Sequence, residues 1–184
     1  MKKNKLLEYV KEHHKILLLA AISLILFNKY IVLITFLILL GILGMMSMKI
    51  TSIVPHISIE TVSASAVLFG FVWDWKIGLI FGLVFGMYGY IKLSIIKLKT
   101  ILNAVLMGVC GIMGGVFASM GYSFRIAFIL TFVVRIVLNN IIFPLVESDM
   151  FENLVHGFGD PLFNILITGQ FMQLFYTLIV YLGA

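Results

Sequence analysis

Charge is scarce in this chain: of its 184 residues only 11% are Asp, Glu, Lys or Arg, against about 25% in soluble domains. With 62% of residues hydrophobic, this excludes an ordinary water-soluble domain, where apolar residues make up about 45–50%. Cysteine is nearly missing too. Cys110 stands alone, so no internal disulfide can form, and it reads as a small core residue rather than a metal ligand. The sequence contains no Walker motif, no G-x-S-x-G and no H-E-x-x-H, so enzymatic chemistry has no visible seat and no metal or cofactor is expected. Nor is there the alternation of apolar and polar residues over about ten positions that a membrane β-barrel requires.

Long apolar runs are what remains. Several approach the roughly 20 residues needed for a spanning helix, and the chain reads as an all-α integral membrane protein. The expectation is one transmembrane domain over residues 1–184, a compact polytopic bundle of six helices with Gly-rich interfaces, multi-pass in the cell membrane. Residues 1–15 form a lysine-rich N-terminal segment, either cytoplasmic or resting on anionic lipid. The net charge of +5 therefore bears on membrane orientation and not on nucleic acid.

Ile16 to Met48 is apolar apart from Asn28, Lys29 and Tyr30, and as one helix it would measure about 50 Å. It is either one long kinked segment or two short helices in a hairpin, and the hairpin would raise the count to seven. The positive-inside rule favours seven, with Lys49 and Lys92 to Lys99 in the cytoplasm. Lys49 to Ser58 reads as a polar break, and Pro55 as a helix start. Trp73-Asp74-Trp75-Lys76 has the character of an interfacial turn. Gly78, Gly82 and Gly86 are spaced by four and line one stripe; Gly108, Gly111 and Gly115 make a second smooth surface.

Arg135 lies near the middle of FRIAFILTFVVRIVLNNIIFPL, residues 124–145. A cation at membrane depth costs roughly 2.5 kcal/mol or more, so something must offset it. Asn139 is one turn on and Asn140 about 100° further round. A guanidinium fork beside carboxamides suits a carboxylate or phosphate ligand. The alternative is an internal strut, with Arg135 neutralised by Glu60 or another buried carboxylate.

His56 and Glu60 form an i, i+4 pair at the start of the third apolar segment, which reads either as a polar helix entrance facing a cavity or as mere capping and solvation, and not as a metal site. Residues 146–160, with Asp149, Glu152, Asn153, His156 and Asp160, are the only acidic stretch. They read either as a cover over a cavity or as a solvated loop in which Asp160 caps the Pro161 helix. Gln170, Gln173 and Thr177 make one polar stripe, with Asn164 a turn or two before. They either bond another helix or line the cavity.

From Pro55 onward the chain resembles the substrate-binding S-components of energy-coupling factor (ECF) transporters. The likeness rests on Pro55, the small-residue helix Ser63 to Gly70, FGFVWDWKIGLIFGLVFGMYGYI, ILNAVLMGVCGIMGG, the Arg135 helix, and a closing helix opening with Pro161 and Asn164. It is one of texture and segment spacing over residues 55–184. The resemblance implies a bundle that binds a vitamin-like or other small molecule near its outer face, powered by a transmembrane coupling subunit with two ATPases. Arg135, Asn139, Asn140, Glu60 and residues of 146–160 would then line the cavity. The alternative function is a non-catalytic scaffold subunit, similar to the small rod-shape-determining membrane proteins.

Overall fold

The computed structural model describes residues 28–53, 60–146, 153 and 155–183. The N-terminal segment, Pro55, His56, Asp149 and Glu152 lie outside these, as does the side chain of His156. All regular structure among the described residues is helical: α1 (Asn28–Ile53), α2 (Val62–Val72), α3 (Trp75–Lys92), α4 (Leu98–Ser119) and α5 (Phe124–Val146), followed by α6. The last runs through 155–181 as four abutting pieces: wide π-type turns over Val155–Gly159 and Asn164–Thr168, and α-helix over Asp160–Phe163 and Gly169–Tyr181. Among the described residues four helices are long and apolar enough to cross a membrane: Asn28–Ile53, Leu98–Ser119, Phe124–Val146 and Gly157–Tyr181.

α2 is the axis. Its residues from Val62 to Gly70 are all buried, whatever face they occupy. The other five helices ring it, each packing on a neighbour: α1 on α3, α3 on α4, α4 on α5, and α5 on α6. α6 returns to α1, where Asn28 Nδ2 donates to the Leu182 carbonyl (2.6 Å) and Phe36 meets Phe175 edge-on. α1 shows one inward stripe at helical spacing, Val32, Phe36, Leu40, Gly44 and Ser47. Outward-facing positions carry large apolar chains such as Ile80 and Leu174, 59% and 65% exposed.

Glycine sets the closeness of the centre. A Cβ on Gly78 would stand 2.7 Å from the Ala66 carbonyl oxygen and 2.8 Å from the Cα atoms of both Gly70 and Gly111. Gly82 lies against the Met107 backbone and Gly108, Gly86 against Ala104, and Gly115 against the Trp75 backbone. The α3 and α4 stripes therefore face each other, with Gly70 of α2 closing a three-helix contact of backbone on backbone.

Two details differ from the sequence reading. α1 continues through Lys49 to Ile53, so the polar break starts later; Ser47 Oγ, Thr51 and Ser52 satisfy themselves on carbonyls of their own helix. Asp160 does not cap the Pro161 helix. It sits inside the continuous helical run, buried, and the residue before it already has helical φ and ψ.

The length of α2 positions everything else. Eleven residues rise about 16 Å, whereas α5 has 23 residues and rises about 34 Å. The two helices are level where Phe71 meets Phe124 edge-on (5.3 Å). Arg135 is eleven residues along α5 from Phe124, so it comes level with the start of α2. There Glu60 sits. Beyond that point the surrounding helices continue and α2 does not.

Candidate functional site

Glu60 and Arg135 meet in a bond of 2.9 Å between Oε2 and Nη1, with side chains 6% and 1% exposed. Glu60 also finishes the start of α2: Oε1 accepts the Ser63 backbone N–H (2.7 Å), and Oε2 accepts the Ser63 hydroxyl (2.5 Å). This satisfies one of the amides that every helix start leaves unpaired. Arg135 Nη1 also donates to Ser63 Oγ. Nη2 donates to Asn103 Oδ1 (3.1 Å), and Asn103 Nδ2 donates to the Tyr90 hydroxyl (2.6 Å). The guanidinium lies 5.9 Å from the centre of the Phe132 ring. One network thus links α2, α3, α4 and α5 around the cation, and Ser47 Oγ fastens α1 alongside by accepting the Thr61 backbone N–H (3.2 Å).

Above the start of α2, where the axis stops short, lies a cavity of about 210 Å³. Its described lining combines Glu60, Tyr90 and Asn103 of the network with Asp160, Lys97, Lys99, Thr51, Ser52 and Thr100, and with apolar Met48, Leu93, Ile95 and Phe143. Glu60 and Asp160 are buried, Lys97 is exposed, and Lys99 is half-buried with its ammonium 5.6 Å from the Phe143 ring centre. Asp160 falls between the two π-type turns of α6, a distortion frequent at functional sites.

The predicted residues divide. Arg135 and Glu60 come together, and Arg135 lies beneath the cavity rather than in its wall. Asn139 is one turn along the stripe that leads from Arg135 to Phe143; it is fully buried, and its amide has no hydrogen-bond partner among the described residues. Asn140 turns aside, donating to the Ile136 carbonyl (2.8 Å) against Gly157. Asn164 is fully buried on the second π-type turn, donating to the Asp160 carbonyl (2.9 Å).

Gln170 and Gln173 do not join the Arg135 site. With Leu174, Thr177 and Tyr181 they border a shallow depression on the outer side of α6, and with Arg125, Phe128 and Ile165 a groove between α5 and α6. Met172 and Ile179 take the inward positions of α6; Gln170 and Thr177 are exposed, and Gln173 is half-buried at the groove with α5. Among the described residues no three His, Cys, Asp or Glu side chains gather as a metal site.

Asn103 and Tyr90 were not singled out from the sequence. Asn103 carried a signal, being the one amide within the otherwise apolar Ile101–Met120 stretch. The sequence matches no protein-family model, no curated protein and no solved structure.

Proposed function

We propose that this chain is a multi-pass cell-membrane subunit that binds a small polar molecule in the cavity above α2, for uptake energised by a partner ATPase module. One observation carries the reading: among the described residues, a cavity of mixed polar and apolar lining opens directly onto a hydrogen-bonded ion pair. A pure strut would need only the pair. Arg135 then acts from below, holding Glu60 and Asn103 in place, and the resemblance to ECF S-components supplies the expectation of a coupling subunit.

Uptake asks for an outward-facing cavity. The opposite end carries Lys29, Lys76 and Arg125, together with Trp75, Tyr122 and Tyr181 in the manner of an interfacial aromatic belt. At the cavity end stand Lys49, Lys92, Lys97 and Lys99, so the basic charge of the described residues is divided between the two ends and favours neither orientation. An outward-facing cavity corresponds to six spans.

Native mass spectrometry of the gently purified protein tests the role, with Thr51→Phe as the comparison. The substitution places a ring in the cavity from the end of α1. The expected result is a co-purified small molecule on the parent that is lost from a monodisperse Thr51→Phe protein. Retention of that molecule by the variant, or a parent that carries protein partners and no ligand, would overturn the binding role, and the second outcome would favour the scaffold.

A further inference from the structure

The groove between α5 and α6 is polar at one end and apolar at the other, in the order of a lipid molecule. We infer that it holds one anionic glycerophospholipid, with the phosphate on Arg125 and a headgroup hydroxyl on Gln173. The site is separate from the cavity above α2 and rests only on the membrane placement proposed above.

The two helices run antiparallel here, with Phe124 stacked on Tyr176 (4.9 Å between ring centres) and Phe128 lying against Gly169. Arg125 therefore stands at about the level of Gln173, with Gln170 a turn deeper. Exposed Tyr122 and Tyr181 flank this end, which marks it as the headgroup level. Further in, Phe128, Ile129, Ile165 and Leu166 line the groove. A cation and amides first, then hydrocarbon, follow the order of phosphate, glycerol and acyl chain.

Two polar groups at the headgroup end lack partners. Arg125 is exposed, and no carboxylate among the described residues pairs with it; its planar fork suits a phosphate. Gln173 Oε1 is buried and accepts no hydrogen bond among the described residues. A buried acceptor without a donor is costly where water does not reach, and a headgroup hydroxyl supplies the donor. The groove measures about 200 Å³, room for roughly seven water-sized groups at about 30 Å³ each. A glycerol phosphate fits, whereas a helix about 10–12 Å across does not. A second copy docked by a two-fold axis through the groove would set Arg125 against Arg125.

Three lipids with the same acyl chains separate the two contacts: dioleoyl phosphatidylglycerol (anion with hydroxyls), dioleoyl phosphatidylmethanol (anion without a hydroxyl) and dioleoyl phosphatidylcholine (no net charge and no donor). Each is titrated into the full-length protein in detergent micelles, and bound lipid is counted by native mass spectrometry. Phosphatidylglycerol is expected to saturate at one lipid, about tenfold tighter than phosphatidylcholine and about threefold tighter than phosphatidylmethanol. Arg125→Gln is expected to bring phosphatidylglycerol down to phosphatidylcholine, and Gln173→Leu to bring it down to phosphatidylmethanol. Glycerol phosphate, the headgroup without chains, is expected to leave no adduct.

Equal binding of phosphatidylglycerol and phosphatidylcholine, or unchanged binding in Arg125→Gln, would overturn the inference. So would phosphatidylmethanol binding as tightly as phosphatidylglycerol, glycerol phosphate binding as tightly as the lipid, or a dimer in place of the lipid adduct. Thr51→Phe is expected to bind phosphatidylglycerol as the parent does, so failure of the cavity role leaves this site standing. A protein that stays monodisperse without detergent would overturn the membrane placement and the lipid site with it.

Discussion

Replacing Arg135 by Met removes the cation and keeps most of the volume. Glu60 is then left with a side chain only 6% exposed and with Ser63 alone as donor, its 2.9 Å partner gone. Breaking a buried ion pair from one side costs about 3–5 kcal/mol, because the remaining charge is uncompensated. At about 1.4 kcal/mol per decade, that lowers the folded-to-unfolded ratio at least 100-fold. Glu60→Gln strands the guanidinium in the same way, although Ser63 and Asn103 still accept from it.

The double variant strands neither charge, so its loss should fall short of the sum of the single losses by roughly 1–3 kcal/mol. The assay is equilibrium unfolding in mixed micelles with rising dodecyl sulfate, followed by tryptophan fluorescence. Trp73 stacks on buried Phe69 (5.5 Å between ring centres) and reports on the core. Arg135→Met within about 1 kcal/mol of the parent, with additive losses in the double variant, would show the pair to be solvated and refute the reasoning.

Two further outcomes follow from the packing. Gly111→Ala places a Cβ against the Gly78 carbonyl group and 2.6 Å from the Leu79 nitrogen; backbone cannot give way as a flexible side chain does, so the variant should lose monodispersity on size-exclusion chromatography, and a parent-like profile would refute the contact. Cys110 is 3% exposed in the core cluster, so it should resist maleimide in the folded protein and react on denaturation, and rapid labelling of the folded protein would contradict its burial.

Glycine spacing and the isolated charge were the parts of this structure legible in the sequence. Stripes at four-residue spacing predict surfaces for close helix approach, and Gly78, Gly82, Gly108 and Gly111 meet in such a seam. Glu60 was a named candidate partner for Arg135 because few other carboxylates are available in so uncharged a chain. The shortness of α2 was not legible. Periodicity shows which face of a helix is apolar, and VSASAVLFGFV is apolar or small on all faces, which suits a lipid-exposed span as well as a central axis. The cavity follows from that shortness, so its lining was hidden as well. Asp160 shows the same limit: locally, an acidic residue before proline reads as a cap, and only the π-type turns on either side carry it into the bundle. Gln170 and Gln173 share a face by spacing, but spacing does not say whether that face looks inward.

On the membrane role proposed above, the brevity of α2 also bears on how such a chain would enter a bilayer. Eleven residues are fewer than the roughly 17–25 that hold a helix across the hydrocarbon unaided, so this segment has no stable transmembrane state of its own. It is joined to α3 through Trp73 and Asp74 alone, and the two helices would partition as one unit during synthesis. Even then the Gly70 backbone stays uncovered until Leu98–Ser119 emerges and brings Gly111 against it. The helix that lies innermost in the finished protein is thus the one whose placement must wait for a later stretch of the chain.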